Sequence, residues 1–274
     1  MSLFITSLNS GSNGNCYYVG NGKEAVLVDV GISCREVEKR MKRLGLDIYS
    51  VKAIIVSHEH SDHITGVPGL CKKFHFPVYI TAATLQSGSI PIARELVHSF
   101  RAHESISVGE LTVTAFPKFH DAIDPHSFII SGNGINVGVF TDIGSCCKHV
   151  SAHFSKCHAV FLESNYCEDL LQKGSYPYYL KERIRGGRGH LSNKQALEIF
   201  NRYKTEKLTH LVLSHLSKNN NDPQLVERIF AEHAGNVKVV VASRYQETPV
   251  YCVTTTQPTI VRNIVREQRQ LSLF

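Results

Sequence analysis

The segment Ser57-His58-Glu59-His60-Ser61-Asp62-His63 constrains this chain more than any other. It sets three imidazoles and the Asp62 carboxylate within six residues, directly after the apolar run AIIVS. His58 and His60 are two residues apart, so an extended turn points both to one side, where they can grip one ion. Asp62 and His63 then turn toward a second ion beside it. Nitrogen and oxygen donors suit Zn2+, Mn2+ or Fe. Asp at position 62 breaks the HExxH pattern, which disfavours a helical metalloprotease site.

One short motif cannot complete two sites, so further ligands are expected at the ends of other strands. His120 follows LTVTAFPKF, Asp142 ends INVGVFT, and His215 closes THLVLS. Each alone reads equally well as a hydrogen-bonded histidine or a turn-capping aspartate. Strand tips gathered along one edge of a sandwich would bring all of them to the 58–63 turn.

The remaining pattern fits that architecture. Short β-rich runs fall at 3–8, 16–19, 24–30, 53–57, 78–81, 111–116, 136–141, 159–163, 209–214, 237–242 and 249–254. Helical spacing recurs between them. Val37, Met41 and Leu44 share a face that Gly45 ends. Ser192 with Gln195 forms a capping box ahead of Ala196, Ile199, Phe200 and Tyr203. Asp222-Pro223 starts a third helix carrying Val226, Ile229 and Phe230. Strands and helices interleave with hairpins, so the expected class is α/β with two sheets and outer helices.

Composition narrows the function classes. Hydrophobic residues at 42% and charged residues at 20% exclude a disordered or fibrous chain. No apolar run approaches the ~18 residues of a membrane-spanning helix, and MSLFITSLNSGSNGN does not read as a secretion signal. Eight cysteines without CxxC spacing point to reduced thiols and a cytoplasmic location. The vicinal pair Cys146-Cys147 reads either as redox-sensitive or as small buried side chains. A net charge of +6 permits an anionic partner such as nucleic acid without requiring one.

The order HxHxDH, then His, then Asp, then His resembles the metallo-β-lactamase-fold hydrolase superfamily, over nearly the whole chain up to about residue 255. The resemblance implies a four-layer αββα sandwich with a dinuclear metal edge, here residues 1–258, followed by a tail over 259–274. It implies one ion held by His58, His60 and His120, a second held by Asp62, His63 and His215, and Asp142 bridging both. Asp29 in LVDVG matches the early aspartate that supports such sites from behind the ligands. Aspartate rather than cysteine at 142 argues against true β-lactamases, and KFHDAIDPHSF is unlike the GHTPG segment of glyoxalase-type thioesterases. SLNSGSNGN, FHDAIDP, LESNYCEDLL and GHLSN followed by LSHLSKNNN resemble the YycJ/WalJ-type subgroup, regarded as DNA-directed exonucleases. Ser127 stands where many relatives carry glycine.

That subgroup implies phosphodiester hydrolysis. Two ions about 3.5–4 Å apart lower the pKa of a shared water, supply hydroxide and neutralise a phosphoryl oxygen. Asp62 and His190 are the candidate catalytic residues. His190, in GGRGHLSN, would protonate the leaving oxygen, worth about 10²–10⁴-fold. Lys181, Arg183, Arg185 and Arg188, with the tyrosines at 176, 178 and 179, are candidates for guiding a nucleic-acid strand. SGSNGN at 10–15 is either a phosphate-binding nest or a tight hairpin turn. Gln270, Leu271, Leu273 and Phe274 resemble the bacterial sliding-clamp-binding pentapeptide. The expected function is a DNA exonuclease in replication-linked repair. An RNA-processing nuclease, a small cyclic phosphodiesterase, and a clamp-associated DNA-binding module with a structural metal are the alternatives.

Overall fold

A computed structural model describes residues 2–255. The clamp-like residues Gln270, Leu271, Leu273 and Phe274 lie outside them. In chain order the strands are β1 (Ser2–Asn9), β2 (Cys16–Gly20), β3 (Ala25–Val28), β4 (Val51–Ile55), β5 (Val78–Tyr79), β6 (Val97–His98), β7 (Ser105–Val108), β8 (Leu111–Pro117), β9 (His126–Gly132), β10 (Ile135–Phe140), β11 (Ala159–Glu163), β12 (His210–Ser214), β13 (Lys238–Val241) and β14 (Tyr251–Thr254). They form two seven-stranded sheets, ordered β14-β1-β2-β3-β4-β5-β6 and β13-β12-β11-β10-β9-β8-β7. Each sheet is parallel on one side, over β3–β6 and β10–β13, and antiparallel on the other.

The helices are α1 (Cys34–Arg43), α2 (Ser61–Ile64), α3 (Val67–Phe74), α4 (Ala82–Gly88), α5 (Lys148–Phe154), α6 (Glu168–Lys173), α7 (Tyr178–Arg185), α8 (Asn193–Tyr203) and α9 (Pro223–Ala231). Their local signals behave as read. Ser192 and Gln195 make both bonds of the capping box on α8, and Asp222 caps α9 at Pro223. Val37 and Met41 are buried on α1, and Leu44 is its C-terminal cap. Gly45 follows at φ +69, and the bonds Gly45 N–H to Lys42 and Leu46 N–H to Met41 close the helix end.

Three cores separate four layers. The inner faces of the sheets share Leu3, Ile5, Val26, Val28, Phe128, Val137 and Phe161, with the Tyr17 and Phe161 rings 4.9 Å apart across the gap. Val37, Met41, Val67 and Leu70 bring α1 and α3 onto the outer face of the first sheet. Phe154, Phe200, Val226 and Phe230 bring α5, α8 and α9 onto the second. The expected αββα sandwich is the fold.

Three strands lie outside the runs read from sequence: β6, β7 and β9. β6 has two residues, too few to carry a period. β9 follows the polar stretch HDAIDP and has only a short apolar core, although it is buried from His126 to Ile130. Ser127 lies in β9 opposite Phe116 and is fully buried, so its position is a strand rather than a loop apex.

Parallel register sets the site. Val28 pairs with Ile55, Phe140 with Leu162, and Glu163 with Ser214. The carboxyl ends of β3, β4, β10, β11 and β12 therefore sit side by side within their sheets.

Candidate metal centre

Each strand end delivers one functional group. Asp29 follows β3, the 57–63 segment follows β4, Asp142 lies two residues past β10, Glu163 ends β11 and His215 follows β12. Asp29, Asp142 and His215 all have left-handed backbones, at φ 58°, 54° and 57°. Such a turn costs of order 1–3 kcal/mol for a residue with a side chain and clusters at functional sites. It reverses the chain directly after an extended strand and aims the side chain at the sheet edge. Gly31 lets that edge close, because a Cβ there would lie 1.7 Å from the Asp62 carbonyl oxygen.

The structure brings all seven predicted ligands together. His58 Nε2 is 3.0 Å and His120 Nε2 3.3 Å from His60 Nδ1. Asp62 Oδ2 is 3.5 Å from His63 Nε2 and 3.3 Å from His215 Nε2. Asp142 lies between the groups, with Oδ2 3.1 Å from His63 Nε2 and Oδ1 3.8 Å from His120 Nε2.

The outer ring nitrogens fix the tautomers. His63 Nδ1 donates to Asp29 Oδ2 at 2.7 Å, His120 Nδ1 to the Gly189 carbonyl at 3.0 Å, and His215 Nδ1 to Glu163 Oε1 at 2.9 Å. Ser57 Oγ donates to Asp29, so it accepts from His58 Nδ1, 2.8 Å away. Four imidazoles are thereby locked by outer partners with Nε2 turned inward, as metal-ligating histidines are.

The donor set fits divalent metal ions on its own chemistry. Asp142 Oδ2 is buried and makes no hydrogen bond of acceptable geometry despite the nearby His63 ring. Leaving a buried carboxylate oxygen unsatisfied is costly, and a cation among these atoms removes that cost. His58, His60 and His120 offer atoms within 4.8 Å of one another, as do Asp62, His63 and His215, and His58, His63 and Asp142. The two groups differ electrostatically. Burial lowers the His58 pKa, and takes His120 down to about 4, so both are neutral donors. Burial also disfavours charge on His215, but Asp142, Asp62 and Glu163 outweigh it and raise its pKa to about 10. Burial opposes charge on Asp62 too, yet His63 and His215 hold its pKa well down.

A cleft of about 310 Å3 opens over these groups, lined also by Ser12, Asn165, Ser217, Tyr176, Leu180, Arg183, Ile184 and His190. His190 Nδ1 donates to Glu163 Oε1 at 2.8 Å. Of the four basic candidates only Arg183 lines the cleft, and its Nε pairs with Asp121 Oδ2. Lys181 donates to the Gln172 carbonyl, Arg185 pairs with Glu182, and Arg188 is exposed on the following loop. The charges that are close in sequence are thus split between the cleft side of α7, its other contacts and the loop that follows it. Tyr176 reaches the cleft, whereas Tyr178 and Tyr179 are exposed and do not line it.

The loop 10–15 turns inward. Asn15 Nδ2 donates to Asp62 Oδ2 at 3.1 Å, and Ser10 Oγ accepts from His215 N at 2.7 Å. Cys146 is exposed and Cys147 half-buried, both free.

Sequence reasoning missed Glu163. It is fully buried, and its Oε2 accepts from Ile143 N at 2.8 Å and Leu191 N at 3.1 Å. Burial pushes its pKa up, but His190 and His215 outweigh it and hold it at about 2. Its signal was available: a carboxylate ending the apolar run AVFL, as Asp142 and His215 end theirs. Lys118, buried with Nζ donating to the Thr141 carbonyl at 2.7 Å, was likewise unread.

Residues 24–215 match the beta-lactamase superfamily domain. The chain belongs to this superfamily. It is 33% identical over 230 residues to the exodeoxyribonuclease YycJ of Bacillus anthracis, covering 82% of this chain and 86% of that one. It is 29% identical over 225 residues to the exodeoxyribonuclease WalJ of Streptococcus pneumoniae, covering 80% and 83%. The metallo-beta-lactamase fold protein YhfI of Bacillus subtilis superposes with a TM-score of 0.70 at 17% identity, covering 92% of this chain and all of that one, a likeness of fold. With this fold, nuclease-named relatives and a histidine–aspartate cluster that fits metal, the superfamily member described here is a metal-dependent hydrolase. Among the described residues no helix is long and apolar enough to cross a membrane.

Proposed function

We propose that this hydrolase is a dinuclear phosphodiesterase, and specifically a DNA exonuclease acting in replication-linked repair. The observation that carries the reading is Asp142. Its carboxylate stands within reach of both a His58–His60–His120 group and an Asp62–His63–His215 group, with Oδ2 3.1 Å from His63 Nε2 and Oδ1 3.4 Å from His215 Nδ1 and 3.8 Å from His120 Nε2. The first group would hold one ion, the second the other, with Asp142 touching both. Bound there, divalent ions supply Lewis acidity to a phosphoryl oxygen and an activated water at neutral pH. All donors are nitrogen or oxygen, so Zn2+, Mn2+ and Fe all suit them.

The chain's own residues do the rest. Asn15 and the Asp62–His215 contact hold the Asp62 carboxylate toward the cleft. Glu163 stays ionised and fixes His190 through Nδ1, leaving Nε2 for the cleft that His190 lines. His190 at that edge is placed to give a proton from Nε2 to the departing oxygen, with Glu163 holding the ring through Nδ1. Arg183 and Tyr176 border the same cleft and meet the strand there, while Lys181, Arg185 and Arg188 attract it from outside.

DNA as substrate rests on the two exodeoxyribonuclease relatives. Eight free thiols fit a cytoplasmic enzyme. Docking of Gln270–Phe274 on a sliding clamp would concentrate it at replicating DNA, and a chain lacking 270–274 should lose clamp binding. End-labelled single-stranded DNA, duplex DNA and RNA, each with and without chelator, test the reading. Metal-dependent shortening of DNA from an end supports it. Preferred cleavage of RNA, or turnover that survives metal removal, overturns it.

A further inference from the structure

Beside the metal cleft lies a second one, about 220 Å3, whose lining includes Ser10, Leu216, Ser217, Lys218, Arg244 and Tyr245. Ser217 borders both. Ser10, whose hydroxyl holds the His215 backbone N–H, forms part of its wall. The second cleft is therefore one residue away from a metal-ligand candidate.

Its chemistry is the reverse of its neighbour's. The metal cleft is bordered by Asp62, Asp121 and Asp142, whereas among the described residues no acidic side chain lines the second, which carries Lys218 and Arg244. Arg244 is anchored there, with Nη2 donating to the Leu216 carbonyl at 2.8 Å. Gly11 leaves room for it, since a Cβ at 11 would lie 2.9 Å from Arg244 Nη2. The Tyr245 side chain is presented on a clamped backbone. Ser10 N bonds the Ser243 carbonyl at 3.1 Å, Asn13 Nδ2 bonds the Arg244 carbonyl at 3.0 Å, and Arg40 Nη2 bonds the Tyr245 carbonyl at 3.3 Å. Tyr245 is nevertheless 72% exposed. An exposed aromatic ring on a fixed backbone, sharing a cleft with two cations, is what stacking of a base with a neighbouring phosphate requires. The volume is below the roughly 300 Å3 of ordinary small-ligand pockets, so it suits a segment of a polymer rather than a whole free ligand.

We infer that this cleft is a second nucleotide subsite, which binds the nucleotide next to the scissile phosphate through Tyr245, Lys218 and Arg244. The inference rests on the nucleic-acid reading above and adds where the chain of the substrate runs: across Ser217, from the metals toward Tyr245. It makes these residues determinants of polymer preference rather than of bond cleavage.

The test compares kcat/KM for an end-labelled oligothymidylate with that for bis-p-nitrophenyl phosphate, using the full metal-loaded chain. Tyr245→Ala should lower the oligonucleotide-to-diester ratio about tenfold, the size of one lost base stack, and Tyr245→Phe should restore it. Lys218→Ala should flatten the plot of log kcat/KM against log salt by about 0.7, one single-strand phosphate contact. Variants that keep the wild-type ratio and slope overturn the subsite, as does an equal loss on both substrates. A wild-type chain that hydrolyses the diester but leaves the oligonucleotide intact overturns the nucleic-acid reading, and the subsite with it.

Discussion

Glu163→Gln changes one atom of a buried side chain and tests how the centre is organised. Oε2 accepts two backbone N–H groups, from Ile143 and Leu191, and must remain an oxygen. The new amide nitrogen therefore replaces Oε1, which faces His190 Nδ1 at 2.8 Å and His215 Nδ1 at 2.9 Å. Donor would face donor at both contacts. Each imidazole relieves this by moving its proton to Nε2. For His215 that proton lands on the atom 3.3 Å from Asp62 Oδ2, where a metal would bind. Two charge-assisted hydrogen bonds are lost, each worth about 1.5–3 kcal/mol. Loss of a partner behind a metal ligand typically weakens metal affinity ~10–100-fold. At saturating metal, loss of an oriented general acid adds a turnover deficit of about 10²–10⁴-fold. Metal content after dialysis and turnover of an end-labelled oligothymidylate, whose alkoxide leaving group needs the proton, at rising metal separate the two effects. The deficit at saturating metal should match that of His190→Ala and not deepen in the double variant, because both act through one proton. A Glu163→Gln chain with wild-type metal affinity and turnover would refute the reasoning.

Three further outcomes follow from the same geometry. Asp29→Asn can keep an oxygen for the Ser57 backbone N–H but puts an amide nitrogen where Oδ2 accepts from His63 Nδ1 and Ser57 Oγ, and should weaken metal binding ~10–100-fold by equilibrium dialysis while the fold persists. Because the neighbouring carboxylates raise the His215 pKa to about 10, metal must displace a proton from it. Affinity should then rise with pH from neutrality toward 10, and calorimetry in buffers of different ionisation enthalpy should detect proton release; affinity flat over that range would contradict it. Gly31→Ala drives a Cβ against the Asp62 backbone and should destabilise the chain by ~3 kcal/mol or more, read as a lowered melting temperature, with loss of metal binding.

The histidine–aspartate cluster was legible because its chemistry is dense in sequence. His58, His60, Asp62 and His63 stand within six residues, and His120, Asp142 and His215 each follow a run apolar enough to be a strand. Each alone has an ordinary structural reading, and it is their joint placement at strand ends that marks a site. Glu163 carried the same mark and was passed over because it closes β11 without a neighbouring histidine. β9 was hidden because Pro125, His126 and Ser127 precede its short apolar stretch. The pairing of Arg183 with Asp121 joins residues 62 positions apart, and nothing local in α7 reveals which of its cations the cleft receives. Tyr245 and Lys218 become neighbours of one cleft only through the β12–β13 pairing. Helix ends, by contrast, obey local rules, and Ser33, Ser192 and Asp222 cap where their side chains can reach the first-turn amides.

Counting the ions and locating them tests the central claim most directly. Protein purified without added metal, then loaded and dialysed, should carry two divalent ions per chain. Anomalous scattering from its crystals should place one among His58, His60 and His120, the other among Asp62, His63 and His215, with Asp142 contacting both. A single ion, or a second ion that Asp142 does not touch, would contradict the account.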